Sequence, residues 1–87
     1  MKIVFHRNFE KQYKRLRATE KKRFKERLYI FKRDEFNSVL NNHPLRGTYK
    51  GYRSINITGD LRAIYKMIAR DVFLFVAIDT HHNLYSS

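Results

Sequence analysis

The 87 residues leave room for one domain, expected to span residues 1–87, and for no large enclosed pocket. The absence of Cys removes disulfides, thiolate metal sites and cysteine nucleophiles. Neither the opening run from Met1 to Arg7 nor any later stretch is apolar enough for a signal peptide or a bilayer span. Nineteen Lys and Arg against eight Asp and Glu give a formal charge of +11, so a cytoplasmic protein with a polyanionic partner is expected, nucleic acid first among such partners.

Met1 to Phe5 alternates and reads as a short first strand. Asn8 is a candidate cap for a helix whose apolar positions Phe9, Tyr13 and Leu16 follow i, i+4, i+7 spacing. Thr19, with Glu20 behind it, reads as the cap of a second helix with an inner stripe of Phe24, Leu28 and Phe31. Seven basic residues, from Lys21 to Arg33, crowd the rest of that helix. Asp34 to Asn42 reads as a connection with room for one helical turn. His43-Pro44 ends any helix, because the residue before Pro avoids the αR region.

Gly47 and Gly51 mark a loop entering a strand over 52–57, and Thr58-Gly59-Asp60 turns into a second strand over 61–67. A turn at 69–71 precedes Val72 to Ile78, the most apolar run, expected to be a central strand buried on both faces. The resulting fold class is α+β. It runs strand, helix, helix, then a three-stranded antiparallel meander, with both helices on one face of the sheet.

Three clusters carry candidate chemistry. Asn42 to Gly47 and Tyr49 to Arg53 combine the imidazole of His43, the cations Arg46, Lys50 and Arg53, and two phenols beside two glycines. Cations meet phosphate oxygens and aromatic faces meet unstacked bases, which suits RNA; a loop whose His merely caps a turn explains the same residues about as well. The second cluster is Thr80 to Tyr85. Read as extended chain, it sends His81 and His82 to opposite faces, which argues against a shared metal ion and leaves one of them as an acid/base group. The third is Gly59-Asp60, ordinary turn chemistry that also places one of only three acids found after residue 35. No phosphate-binding glycine loop, nucleophile elbow or paired carboxylates occur, so the residues leave metal-free acid/base chemistry or plain binding.

Four motifs in order resemble the RelE/ParE toxin superfamily, and within it the YafQ-like, RelE-type mRNA interferases. They are His43-Pro-Leu-Arg-Gly47, Lys50-Gly-Tyr-Arg-Ser-Ile55, Gly59-Asp-Leu-Arg-Ala-Ile-Tyr-Lys66 and Thr80-His-His-Asn-Leu-Tyr85. The resemblance implies a type II toxin that enters the ribosomal A site, contacts ribosomal RNA and cleaves mRNA through the RNA's own 2′-hydroxyl. It implies a neutralising antitoxin and neither cofactor nor metal. Carried over by motif, His43, Asp60, His81 and Tyr85 fall on catalytic positions. His81 and His43 would move protons, Asp60 would orient an imidazole, and Tyr85 would meet the nucleotide. Lys50 and Arg53 would stabilise the transition-state charge. Arg46, Arg62 and Asn56 complete the expected RNA contacts. Asn56 stands where the YafQ-like pattern has a His, and Asn can hydrogen-bond RNA without shuttling protons. Two other readings stay open: a ParE-like inhibitor of DNA gyrase, and a non-catalytic RNA-binding module.

Overall fold

The computed structural model describes residues 1–85. The chain order is β1 (Lys2–Phe5), α1 (Arg7–Lys14), α2 (Ala18–Arg33), a 3₁₀ turn (Ser38–Leu40), β2 (His43–Pro44), a second 3₁₀ turn (Gly47–Tyr49), β3 (Arg53–Asn56), β4 (Leu61–Ala69), β5 (Val72–Thr80) and α3 (His81–Tyr85). This bears out the α+β expectation of strand, two helices and an antiparallel meander. One sheet takes in all five strands in the order β1-β5-β4-β3-β2. The contiguous strands β2 to β5 are antiparallel, and β1 lies parallel to β5 with Phe5 opposite Phe75.

Both helices begin two positions earlier than local signals suggest, each for a visible reason. The His6 ring caps α1, its Nδ1 accepting the Asn8 N–H at 3.0 Å. That frees the Asn8 amide to donate to the carbonyl of Val76 at 3.0 Å, while Gln12 Oε1 accepts from Ile78 N at 2.9 Å. The α1 side chains thus satisfy the edge of β5 beyond the point where β1 ends. At α2 it is Glu20, not Thr19, that sets the start. Its carboxylate accepts the Arg17 N–H at 2.9 Å, and this backbone bond, with the Arg17 guanidinium, holds the carboxyl below its ordinary value.

The helices cover one face of the sheet. Phe9, Phe24 and Phe31 pack there against Ile55, Ile57, Leu61, Ala63, Tyr65, Phe73, Phe75 and Ile78. Phe31 is fully buried and meets Tyr65, Phe73 and Phe75 edge-on at centroid distances of 4.9, 5.5 and 5.4 Å. The opposite face is covered only in part, by α3 and the β2–β3 loop. Leu84 seats on Ile64 and Ala77, with Leu45, Tyr49, Tyr52, Val76 and Tyr85 around them. A bulge helps to shape this open face. Ile64 pairs with Ala77 and Tyr65 with Phe75, leaving Val76 as the extra residue of β5.

Candidate active site on the open face of the sheet

Two segments differ from expectation: one read as loop is a strand, and one read as extended chain is a helix. His43-Pro44 forms the edge strand β2, and His81 to Tyr85 forms the helix α3, so the His81-His82 pair is not extended. On a helix, side chains four apart share a face, and the His81 and Tyr85 rings meet with centroids 4.7 Å apart at 61°. The start of α3 is fixed by the hairpin turn between β3 and β4: His81 N donates to the Asp60 carbonyl at 2.9 Å. This bond brings Asp60, His81 and Tyr85 to one end of the sheet, with the Asp60 and His81 side chains exposed.

From Tyr85 the aromatic rings continue across the face. Tyr49, from the β2–β3 loop, lies 6.3 Å from Tyr85 and 6.1 Å from Tyr52, both contacts edge-to-face. The sequence suggests Tyr49 and Tyr52 as aromatic neighbours of His43. The row linking them to His81 and Tyr85 depends on α3 folding back, which no local signal reveals.

His43 belongs to the same face. It stands opposite Ser54, which pairs with Ile64, which pairs with Ala77, so these four residues form one row across the sheet. The His43 Nδ1 lies 2.8 Å from the carbonyl oxygen of Asn41. A carbonyl only accepts, so Nδ1 carries the proton and the lone pair of the neutral ring sits on Nε2.

The next row is Asn56, Arg62 and Asp79. The Asn56 Oδ1 and Tyr85 hydroxyl are both buried without a hydrogen-bond partner among the described residues. Polar atoms in that state gain from any ligand that supplies a partner. Arg62, expected to contact RNA, spends its guanidinium locally. Its Nη1 donates to the Thr58 and Leu61 carbonyls at 3.0 and 3.2 Å and its Nη2 to the Gly59 carbonyl at 3.2 Å, clamping the turn that carries Asp60. Arg46 and Lys50 are exposed on the β2–β3 loop and flank Tyr49.

Arg53 is the expected site residue that the structure places elsewhere. It shares strand parity with Ile55 and faces the helix side of the sheet. There its Nε donates to Asn42 Oδ1 at 2.8 Å and its guanidinium lies 5.1 Å from the Phe36 ring centre. The alternation Arg53, Ile55, Ile57 carried this signal, since both isoleucines are core. Asn42 in turn donates to the Tyr65 hydroxyl at 2.7 Å, and Tyr65 donates to Glu35. Burial, together with the Glu35 bond, raises the Tyr65 phenol above its ordinary value.

A five-stranded sheet backed by two basic helices, with an open face bearing His and Tyr, defines a RelE-like toxin fold. The chain superposes on the YoeB/ParE toxin from Agrobacterium tumefaciens with a TM-score of 0.78 at 24% identity, over 93% of this chain and 99% of that one. A chain of the RelB-RelE antitoxin-toxin complex from Methanococcus jannaschii gives 0.73 at 20% identity over 95% of each. At these identities the likeness is one of fold. YafQ from E. coli strain BL21(DE3) gives 0.71 at 26% identity, over 95% of this chain and 96% of that one. No curated protein matches the sequence significantly. The model of the YafQ family, bacterial toxins of type II toxin-antitoxin systems, matches residues 1–86, and the chain belongs to that family.

Proposed function

We propose that this toxin is a ribosome-dependent, metal-independent endoribonuclease that cuts mRNA in the cytoplasm and so stops translation. The observation that carries the reading is that His43 and His81 lie on one open sheet face, with a row of tyrosine rings running from His81 across it. Strand transfer within RNA needs a base for the 2′-hydroxyl and an acid for the leaving 5′-oxygen. The 2′-oxygen attacks the adjacent phosphorus and the bond to the 5′-oxygen breaks, giving a 2′,3′-cyclic phosphate and a 5′-hydroxyl end.

His43 takes the 2′-hydroxyl proton on Nε2, the nitrogen left free by the Asn41 contact. His81 delivers a proton to the departing oxygen, and Asp60, tied to His81 N through its backbone carbonyl, orients it. Lys50 and Arg46 balance the charge of the pentacoordinate phosphorus, a task the placement of Arg53 takes from that residue. Tyr85 and Tyr49 receive a splayed base, and Asn56 offers its free carbonyl oxygen to the RNA. The basic surface of α1 and α2, on the other side of the sheet, grips ribosomal RNA in a salt-sensitive way. The partner that silences the toxin is an antitoxin, as in the DinJ-YafQ complex of E. coli, whose toxin chain is 28% identical. An acidic, amphipathic segment fits the charge of this surface.

The test is inducible expression in a bacterial host with mRNA 5′ ends mapped for wild type, His43→Gln and His81→Ala. In-frame cuts in translated mRNA, reduced 100-fold or more in both folded variants, are expected. Arrest without cuts, with loss of DNA supercoiling, would point instead to gyrase. Cutting undiminished in both variants would remove the assigned roles.

A further inference from the structure

Beside the His81–Tyr85 pair, the open face holds a groove of about 440 Å³ that shares only Tyr49 with the chemistry above. Its lining includes the rings of Tyr49 and Tyr52, the apolar Leu74 and Val76, and His6 and Lys66. We infer that this groove is a second nucleotide site, taking the unpaired base and phosphate that adjoin the nucleotide at Tyr85.

The ligand class follows from the lining. Lys66 Nζ sits over the Tyr52 ring, 4.9 Å from its centre, so an ammonium stands beside an aromatic ring. A nucleotide asks for that pairing, a π-face against the base and a cation near its phosphate. Among the described residues no carboxylate lines the groove, and the chain carries +11, so the field favours an anion. His6 adds a defined donor: its Nδ1 accepts from Asn8 N, so in the neutral ring Nε2 bears the hydrogen. The apolar lining includes Val76 because the bulge turns this extra residue onto the open face.

Position follows from Tyr49, which belongs to both places. It meets Tyr85 on one side and Tyr52 on the other, so a strand leaving the Tyr85 site next reaches the groove. This rests on the open face being the RNA-binding face, and the test separates the groove from the cleavage chemistry.

The test is an NMR titration of the folded protein with a short 2′-O-methyl RNA, which has no nucleophile to be cut, and with the same RNA lacking one base. The abasic position is moved along the strand. For wild type, one position besides that bound at Tyr85 should weaken binding roughly 5- to 150-fold when its base is absent, the range expected for one stacked base. Tyr52→Leu should make intact and abasic RNA nearly equal at that position, with shifts at Lys66 and His6 lost together. Tyr52→Phe, which keeps the ring, should behave as wild type and controls for folding. Lys66→Gln should lower the slope of log affinity against log salt by about 0.7, one phosphate contact on a single strand. Equal binding of intact and abasic RNA at every position but one, or full base dependence in folded Tyr52→Leu, would overturn the proposal. Base-dependent binding by a protein that cuts no mRNA would leave the groove standing and remove only the nuclease reading.

Discussion

The His81 and Tyr85 rings stand one helical turn apart on α3 and touch edge-to-face at 4.7 Å, so neither can be altered without changing the other's surroundings. The Tyr85 hydroxyl is buried with no partner among the described residues. Tyr85→Phe therefore removes an unsatisfied group and should keep or raise stability, by up to about 1 kcal/mol. Tyr85→Ala removes the ring that fixes His81 and should lower mRNA cutting at least tenfold. Urea melts and mapped mRNA ends of the two variants check both statements.

The Tyr65 phenol, raised by burial and by its bond to Glu35, links pH to stability in a defined direction. Below the unfolded-state value of about 10 both states are protonated and the contribution is intact. As pH climbs past it, only the unfolded chain ionises, so stability falls until the folded phenol itself titrates. An absorbance titration should show a late phenol step, and Tyr65→Phe should abolish it.

Glu20 works in the opposite sense. Its carboxyl is lowered by the Arg17 backbone bond and then by the Arg17 side chain, so the stabilisation is present above the ordinary glutamate range. It fades as pH falls through the lowered value. Glu20→Ala should cost about 0.5–1 kcal/mol at neutral pH, the effect of a lost helix cap, and should flatten the acid limb of the stability curve. Thermal melts between pH 2 and 7 would show whether the two curves converge at the acid end.

Phe31 sits at the centre of the helix-facing core with three aromatic rings edge-on to it. Phe31→Ala should cost about 3–5 kcal/mol, a large share of the stability of a domain this size. Phe31→Leu should cost markedly less. Equal urea midpoints for the two variants would contradict the packing described for this residue.

Asn8 tests the way α1 completes the sheet. Its amide meets the Val76 carbonyl, beyond the last residue of β1. Asn8→Ala should leave that carbonyl without its protein partner and cost about 1 kcal/mol, whereas a purely helix-capping Asn8 would lose α1 helicity instead. Hydrogen exchange at Ile78, next to the bulge, should rise in the variant while the amides of α1 stay protected.

Much of this protein was legible in its sequence, because the deciding forces were local. The 3.6-residue apolar spacing of Phe9, Tyr13 and Leu16 and of Phe24, Leu28 and Phe31 placed both helices. Turns at 58–60 and 69–71 separated the last three strands, and the charge of +11 is fixed by composition. The four ordered motifs also placed His43, Asp60, His81 and Tyr85 among the residues to examine. What they could not carry was which of these share a face. The parallel pairing of β1 with β5, the bulge at Val76 and the return of α3 over Ile64 and Ala77 join residues far apart in the chain. Strand parity and pairing, rather than proximity in sequence, turned Arg53 toward Asn42 on the helix side and left His43 on the open face. The tertiary structure alone decided that Tyr49, Tyr52 and Tyr85 stand in one row, since burying Leu84 against the open sheet brings α3 to the β2–β3 loop.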